Sequence, residues 1–309
     1  MACKAQRLQT RLKASCIGSL AAQTLKDGPP NPIGTVTNTF PNSFYARTYN
    51  DELLFVTNRP LKSPVTVNID STSNLQQLVK PQAQISVRGS EILVGEDVSI
   101  HLKDAAQYAP QVDFSMGSAQ LVEIREALPT IALILRIINT KDSVLDQGGL
   151  THGPAAEFVQ EGIVPLRSSD EDRFREAASE LVGLGSGFTP SGDDMLGGFL
   201  AVYNSLAEKI GKQRILLDFD LLEKNTNWIS AKLLDYMQRL VLDEQVTRMI
   251  QSAASGDELV LAFESLLPRG HTSGIDIATG AVLAFGLAQD IALKTNETEI
   301  LARRLGFVS

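Results

Sequence analysis

Gly183-Leu-Gly-Ser-Gly-Phe-Thr-Pro-Ser-Gly-Asp-Asp194 is the stretch that decides how the second half of this 309-residue chain is read. Four glycines in ten residues are costly to order, because glycine loses the most backbone entropy on folding. Upstream, Asp170–Val182 has helical periodicity with acids at its start, and Gly183 stands where a helix is expected to stop. Downstream, Met195, Leu196, Phe199, Leu200 and Tyr203 form the apolar stripe of a second helix, Ser191–Glu208. Ser191 with Asp194 three residues on fits a capping box. Capping leaves Gly183, Gly185 and Gly187 unexplained, and Gly197 and Gly198 too, since each costs about 1 kcal/mol inside a helix.

Two common glycine loops fail on spacing. The dinucleotide fingerprint needs a glycine where Phe188 sits, and no strand precedes it. The phosphate loop of nucleotide-binding proteins matches Gly187 and Gly192, but Asp193 replaces the lysine that grips phosphate. The remaining reading is an anion-binding turn at a helix N-terminus.

His271-Thr-Ser-Gly-Ile-Asp276 strengthens it. Both stretches read Ser-Gly-x-Asp-aliphatic-x-x-Gly, so that Ser191, Gly192, Asp194, Met195 and Gly198 match Ser273, Gly274, Asp276, Ile277 and Gly280. If the two helices cross at Gly198 and Gly280, their positive ends meet at one pocket. Gly185, Gly187, Thr189, Ser191 and Gly192 from one motif, with Thr272, Ser273, Gly274 and Asp276 from the other, are the expected substrate contacts. His271 is the expected proton carrier, because imidazole titrates near neutrality. Asp193 is expected to orient substrate, and Asp193 with Asp194 supplies hard oxygen ligands for a possible Mg²⁺. His152 lies in a glycine-rich segment able to fold over a site, and His101 reads as structural.

Outward from these motifs the chain divides in two. Short β-branched runs at Thr35–Phe40, Tyr45–Tyr49, Leu53–Thr57, Val65–Ile69, Ile85–Val87, Ile92–Val94 and Val98–Leu102 predict a barrel or sandwich. A hairpin is expected at Arg88-Gly89-Ser90, and a helix over Lys4–Leu25. From about residue 116 the period becomes helical: Ala119–Leu128, a second stretch opened or kinked by Pro129 and running to Asn139, a long loop over Asp142–Pro165, then Trp228–Leu240, Asp243–Ser255, Asp257–Leu267 and Gly274–Leu293. The fold class is therefore α+β, with a β-rich domain over residues 1–115 and a mainly α-helical domain over 116–309.

Net charge is −8 with no basic run, which argues against nucleic acid as partner. Cys3 and Cys16 form no zinc or disulfide pattern. The apolar run Ile131–Ile138 is too short to span a bilayer, and no signal peptide is recognised, so a cytoplasmic setting is expected.

At the two motifs the sequence resembles a family catalogued as a domain of unknown function, which includes the AllH subunit of bacterial oxamate carbamoyltransferase. Gly183–Asp194 and Gly270–Asp276 carry the resemblance. Ser230, Leu233, the turn at Gly256 and the β-before-α order extend it over most of the chain. It implies a subunit of a carbamoyl-transferring enzyme that acts with an FdrA-like subunit and a further transferase subunit in allantoin breakdown. Phosphate, carbamoyl phosphate and oxamate are the small anions this would bring to the site. The alternative is a regulatory or assembly subunit that binds a small anion without catalysis.

Overall fold

Strand β1, Thr10–Gly18, alternates in burial: Leu12, Ala14 and Cys16 point inward while Arg11, Lys13 and Ser15 face out. This period of two is why the described part of the segment expected to be a helix from Lys4 to Leu25 begins as a strand, followed by the short helix α1, Ser19–Lys26. The computed structural model describes residues 10–26, 32–110, 118–146, 153–255 and 258–308. Lys4, Cys3, His152 and Gly256 lie outside the described residues.

The strands that follow are β2 (Gly34–Phe40), β3 (Ser43–Thr48), β4 (Leu53–Thr57), β5 (Thr66–Ile69), β6 (Gln84–Arg88), β7 (Glu91–Val94), β8 (Val98–His101) and β9 (Ala106–Tyr108). A short helix, α2 (Leu75–Leu78), separates β5 from β6. The sheet order is β5-β4-β3-β2-β6-β7-β8-β1, with β9 beside β1. Strand β1 closes the ring: its first half runs parallel to β8 and its second half antiparallel to β5. Eight strands thus form a closed barrel, which leaves no long unpaired edge. Gly89, at φ +57°, sits in the two-residue turn that pairs Arg88 with Glu91, the expected hairpin. Leu12, Ala14, Val36, Phe44, Leu54, Val56 and Ile92 fill the interior.

The chain separates into two compact units, Met1–Gln111 and Val112–Ser309, each with its own apolar core. In the second unit α3 (Ser118–Glu123) and α4 (Ala127–Ile137) are the two expected helical stretches, with Pro129 in the first turn of α4, where its missing N–H costs little. The loop expected over Asp142–Pro165 is partly helical. Helix α5 (Pro154–Glu157) continues into a π turn at Phe158–Ile163 and a 3-10 turn at Val164–Ser168. Phe158 explains the ordering, since it is wholly buried against Phe174 and Phe199 at centroid distances of 5.4 and 5.9 Å. Then come α6 (Glu171–Leu181, capped by Asp170), α7 (Ser191–Leu206), α8 (Phe219–Asn225), α9 (Trp228–Gln238), α10 (Glu244–Ser255), α11 (Leu259–Leu266), α12 (Ser273–Leu293) and α13 (Glu297–Leu305).

Helices α7 and α12 are the axis of this unit. Every residue of α7 except Asp194 is buried, as is all of α12 from Gly274 to Asp290. By length and composition α12 would suffice to cross a membrane, although the sequence reading singled out only the shorter run in α4. Ninety-four percent of its apolar window is buried inside the unit, and a helix apolar on all sides is what a protein core requires. The two helices touch backbone to backbone. A Cβ on Gly198 would lie 2.1 Å from the Ile277 carbonyl oxygen, and one on Gly280 would lie 1.9 Å from that of Met195. Both are far inside contact distance, so neither position tolerates a side chain without parting the helices.

Gly198→Ala and Gly280→Ala are each expected to destabilise the protein by about 3 kcal/mol or more, the upper range for overpacking a tight core. Chemical denaturation monitored by circular dichroism checks this. A midpoint unchanged from wild type in both variants would contradict the close crossing.

Candidate active site at the crossing of α7 and α12

The loop between α6 and α7 explains its glycines. Gly183, Gly185 and Gly187 have φ of +81°, +105° and +117°, conformations that L side chains rarely adopt. Gly183 is also pressed against the Asn225 carbonyl, where a Cβ would stand 2.1 Å away. Gly185, Ser186 and Gly187 are exposed, while Pro190, Ser191 and Gly192 are buried. The loop is pinned from outside by Asn227, whose side-chain amide donates to the Phe188 carbonyl at 2.9 Å.

The capping box is absent. Pro190, not Ser191, is the N-cap of α7, and Thr272 precedes α12; neither makes a side-chain cap. Ser191 and Ser273 are the first helical residues, and their hydroxyls reach across to the other helix. Thr189 Oγ1 lies 3.1 Å from Ser273 Oγ, and Ser191 Oγ lies 3.4 Å from Thr272 Oγ1. The crossing brings the two motifs together, which decides why these serines are not caps: each faces the neighbouring helix instead of its own first turn.

The carboxyl groups follow the same exchange. Asp194 on α7 accepts from Thr189 Oγ1 at 3.0 Å and is hydrogen-bonded by Ser273 of α12. Asp276 on α12 accepts from the Val144 amide at 2.7 Å, with Ser191 and Thr272 hydroxyls beside it. Burial raises the pKa of both, Asp194 to about 6 and Asp276 to about 7. Arg269 opposes the shift at Asp194, and the Asp194 charge adds to it at Asp276. Asp276 is fully buried and its Oδ2 has no hydrogen-bond partner. Asp194 as a residue is only partly buried, so it is the less enclosed of the two.

Three expectations change. Asp193, expected to orient substrate, spends its carboxylate inside the protein. Its oxygens accept from Gly183 N at 2.7 Å and from the Thr226 and Ser230 hydroxyls at 2.6 Å each. It is a staple that joins the glycine loop to the α8–α9 junction. Both oxygens of Asp193, expected with Asp194 to serve a Mg²⁺ ion, are thus taken by donors, and among the described residues no group of three or more His, Cys, Asp or Glu side chains is placed to hold one ion. The anion cradle is also partly spent. Gly192 N donates to Leu184 O, and Gly274 N to Arg269 O, at 2.9 and 3.0 Å. These bonds, with a carboxyl group in the first turn of each helix, leave the helix ends largely compensated.

His271 is exposed beside Thr272, at the edge of the arrangement. Asp142 and Val144 were missed by the sequence reading, which treated them as loop. Ser191 Oγ donates to the Asp142 carbonyl at 2.9 Å, so the segment is held by one residue from each motif. Arg269 was missed as well; it is ion-paired to Asp243. Backbone contacts such as those at Asp142 and Val144 carry no side-chain signature.

Residues 181–285 match the family model described as oxamate carbamoyltransferase subunit AllH. The match bears out the resemblance read from the motifs and is narrower than that reading, running from the end of α6 into α12 and so enclosing both. No curated protein and no solved structure was found to match.

Raised carboxyl pKa values make the native state hold protons that the unfolded chain releases from about pH 4 upward. Stability from these two groups is therefore full below about pH 4 and declines as pH rises through about 6 and 7. The melting temperature of wild type is expected to fall more between pH 5 and pH 8 than that of Asp276→Asn. Equal slopes in differential scanning calorimetry would contradict the protonated state of Asp276.

Proposed function

We propose that this chain is a subunit of an oxamate carbamoyltransferase-like enzyme and that its substrate site is the mouth formed by Thr189, Asp194, Ser273, His271 and the Gly185–Gly187 loop. The observation that carries the reading is the extent of the family match, which begins and ends on the elements that build this site. A subunit of such an enzyme works with other chains. An FdrA-like subunit and a further transferase subunit are the proposed partners.

The chemistry of carbamoyl transfer suits the groups present. Transfer of a carbamoyl unit needs a proton moved at nitrogen or oxygen while charge develops on the carbamoyl oxygen. Asp194, with its pKa pushed up to about 6 by burial, changes charge close to neutrality and is less enclosed than Asp276. His271 stands exposed on the same rim. The Gly185–Gly187 backbone, free of side chains except Ser186, offers N–H groups to the anionic end of a small substrate. Asp193 contributes by holding the loop rather than by touching substrate.

Purification of the chain from its native cell, followed by identification of the proteins that accompany it, tests the assembly. The recovered complex is then assayed for carbamoyl transfer between phosphate and oxamate. In that complex Asp194→Asn is expected to lower kcat by about 100-fold or more and His271→Ala by about 10-fold or more, the usual range for a lost acid–base group. Full turnover in both variants would make this chain a non-catalytic member of the assembly.

A further inference from the structure

Helix α4 is apolar on two opposite sides. Leu128, Ile131, Ala132 and Leu135 enter the core, while Leu133 and Ile137, one turn apart on the other side, are 48% and 72% exposed. A helix at the surface of a unit needs one apolar face, and this helix has two.

The neighbouring helices extend the outer face. Helix α13 runs beside α4 in the same direction, tied to it at both ends. Arg125, just ahead of α4, is ion-paired with Glu297 at the start of α13 at 2.6 Å, and Arg136 Nη1 donates to the Arg304 carbonyl at 3.5 Å near the end of both helices. Ile300 lies between these two ties and is exposed. Helix α11 also packs on α4 and exposes Leu261, and α3, one turn ahead of α4, exposes Val122. Among the described residues eight large hydrophobic side chains are exposed, and six of them are Val122, Leu133, Ile137, Ile138, Leu261 and Ile300. Such side chains scattered singly are ordinary. Gathered on adjoining helices, they mark a surface that meets a partner.

Charge along the α4–α13 pair selects the occupant. Exposed Glu123 and Glu126 stand at the N-terminal end of α4; exposed Arg136, on its last turn, and Arg304, on the last turn of α13, stand at the other end. The charges between them cancel within the chain, Arg125 against Glu297 and Arg303 against Glu299. The pair is therefore acidic at one end, apolar in the middle and basic at the other. A second copy turned end for end presents the complementary series, with acid opposite base twice and the helix dipoles opposed. A lipid surface suits this face less well, because an anionic membrane repels the Glu123–Glu126 end.

We propose that this face joins two copies of the chain about a twofold axis, with α4 packed antiparallel on α4 of the second copy. Leu133 and Ile137 form the centre of the contact, and the Glu123–Glu126 end of each copy lies beside the Arg136–Arg304 end of the other. The inference is independent of the enzymatic reading above.

The test is the mass of the purified full chain by sedimentation velocity. At about 50 µM the wild type is expected to be a dimer, since interfaces of standard size hold in the micromolar range or tighter. Ile137→Glu, at a position already exposed, is expected to weaken dimerisation about 30-fold or more, as the loss of a central contact does. Leu133→Ser reads the same contact if Ile137→Glu fails to fold. Reversing the acidic end with Glu123→Arg and Glu126→Arg gives a chain basic at both ends. Reversing the other end with Arg136→Glu and Arg304→Glu gives a chain acidic at both. Each reversed chain alone is expected to dimerise about tenfold more weakly or worse, and the two mixed are expected to pair about as tightly as wild type.

A wild type that is monomeric at this concentration overturns the proposal, as does a dimer that tolerates both Ile137→Glu and Leu133→Ser. Reversed chains that fail to recover on mixing overturn the antiparallel arrangement. A monomer that floats with phosphatidylglycerol vesicles, or that binds a different protein through Ile137, gives the face to that occupant and likewise overturns the dimer. Neither carbamoyl transfer nor Asp194 enters the experiment, so its failure leaves the subunit reading standing.

Discussion

Contact between bare backbones at Gly198 and Gly280 is the constraint on which the helical unit depends. With no Cβ on either residue, α7 and α12 approach until the carbonyl of Ile277 and that of Met195 fill the space where side chains would be. That closeness aligns the first turns of both helices. It also explains why α7 and α12 are apolar almost throughout: a pair at the centre of the unit is covered on every side. The remaining helices, with the aromatic cluster of Phe158, Phe174, Phe199 and Tyr203, pack around this axis.

The site is a consequence of that packing. Two serines that would have capped their own helices are instead turned toward each other's aspartates, and the aspartates are desolvated enough to hold protons near neutrality. Asp193, one residue from Asp194, points the other way and serves the loop. Adjacent carboxylates in one helical turn thus have opposite duties, because successive residues on a helix lie about 100° apart. One faces the crossing and one faces α9.

The barrel was legible from its strands because alternation and turn residues are local signals, and Leu53–Thr57 and the Gly89 turn fall where they were expected. Strand β1 was not, although Arg11–Cys16 alternates polar and apolar residues, since its pairing with β8 and β5 is made with segments fifty or more residues away and no turn residues mark its start. The helical spacing of the second unit was likewise readable. The helical turns at 154–168 were not, because a π turn and a 3-10 turn carry no regular period and are ordered by the burial of Phe158.

By itself the sequence determined that a Ser-Gly-x-Asp motif with a later glycine occurs twice, and it offered a crossing at those glycines as the condition for one shared pocket. Only small residues permit such an approach, so the pattern carries its own geometry. The tertiary structure alone decided what the motifs face. Capping, which a local pattern predicts, gave way to hydroxyl–carboxyl pairs between helices, because the crossing offers each serine a better partner than its own first turn. It also decided which aspartate is fully buried, which is less enclosed and which is a staple, since burial and donor placement depend on Asp142, Val144, Thr226 and Ser230, all remote in the chain.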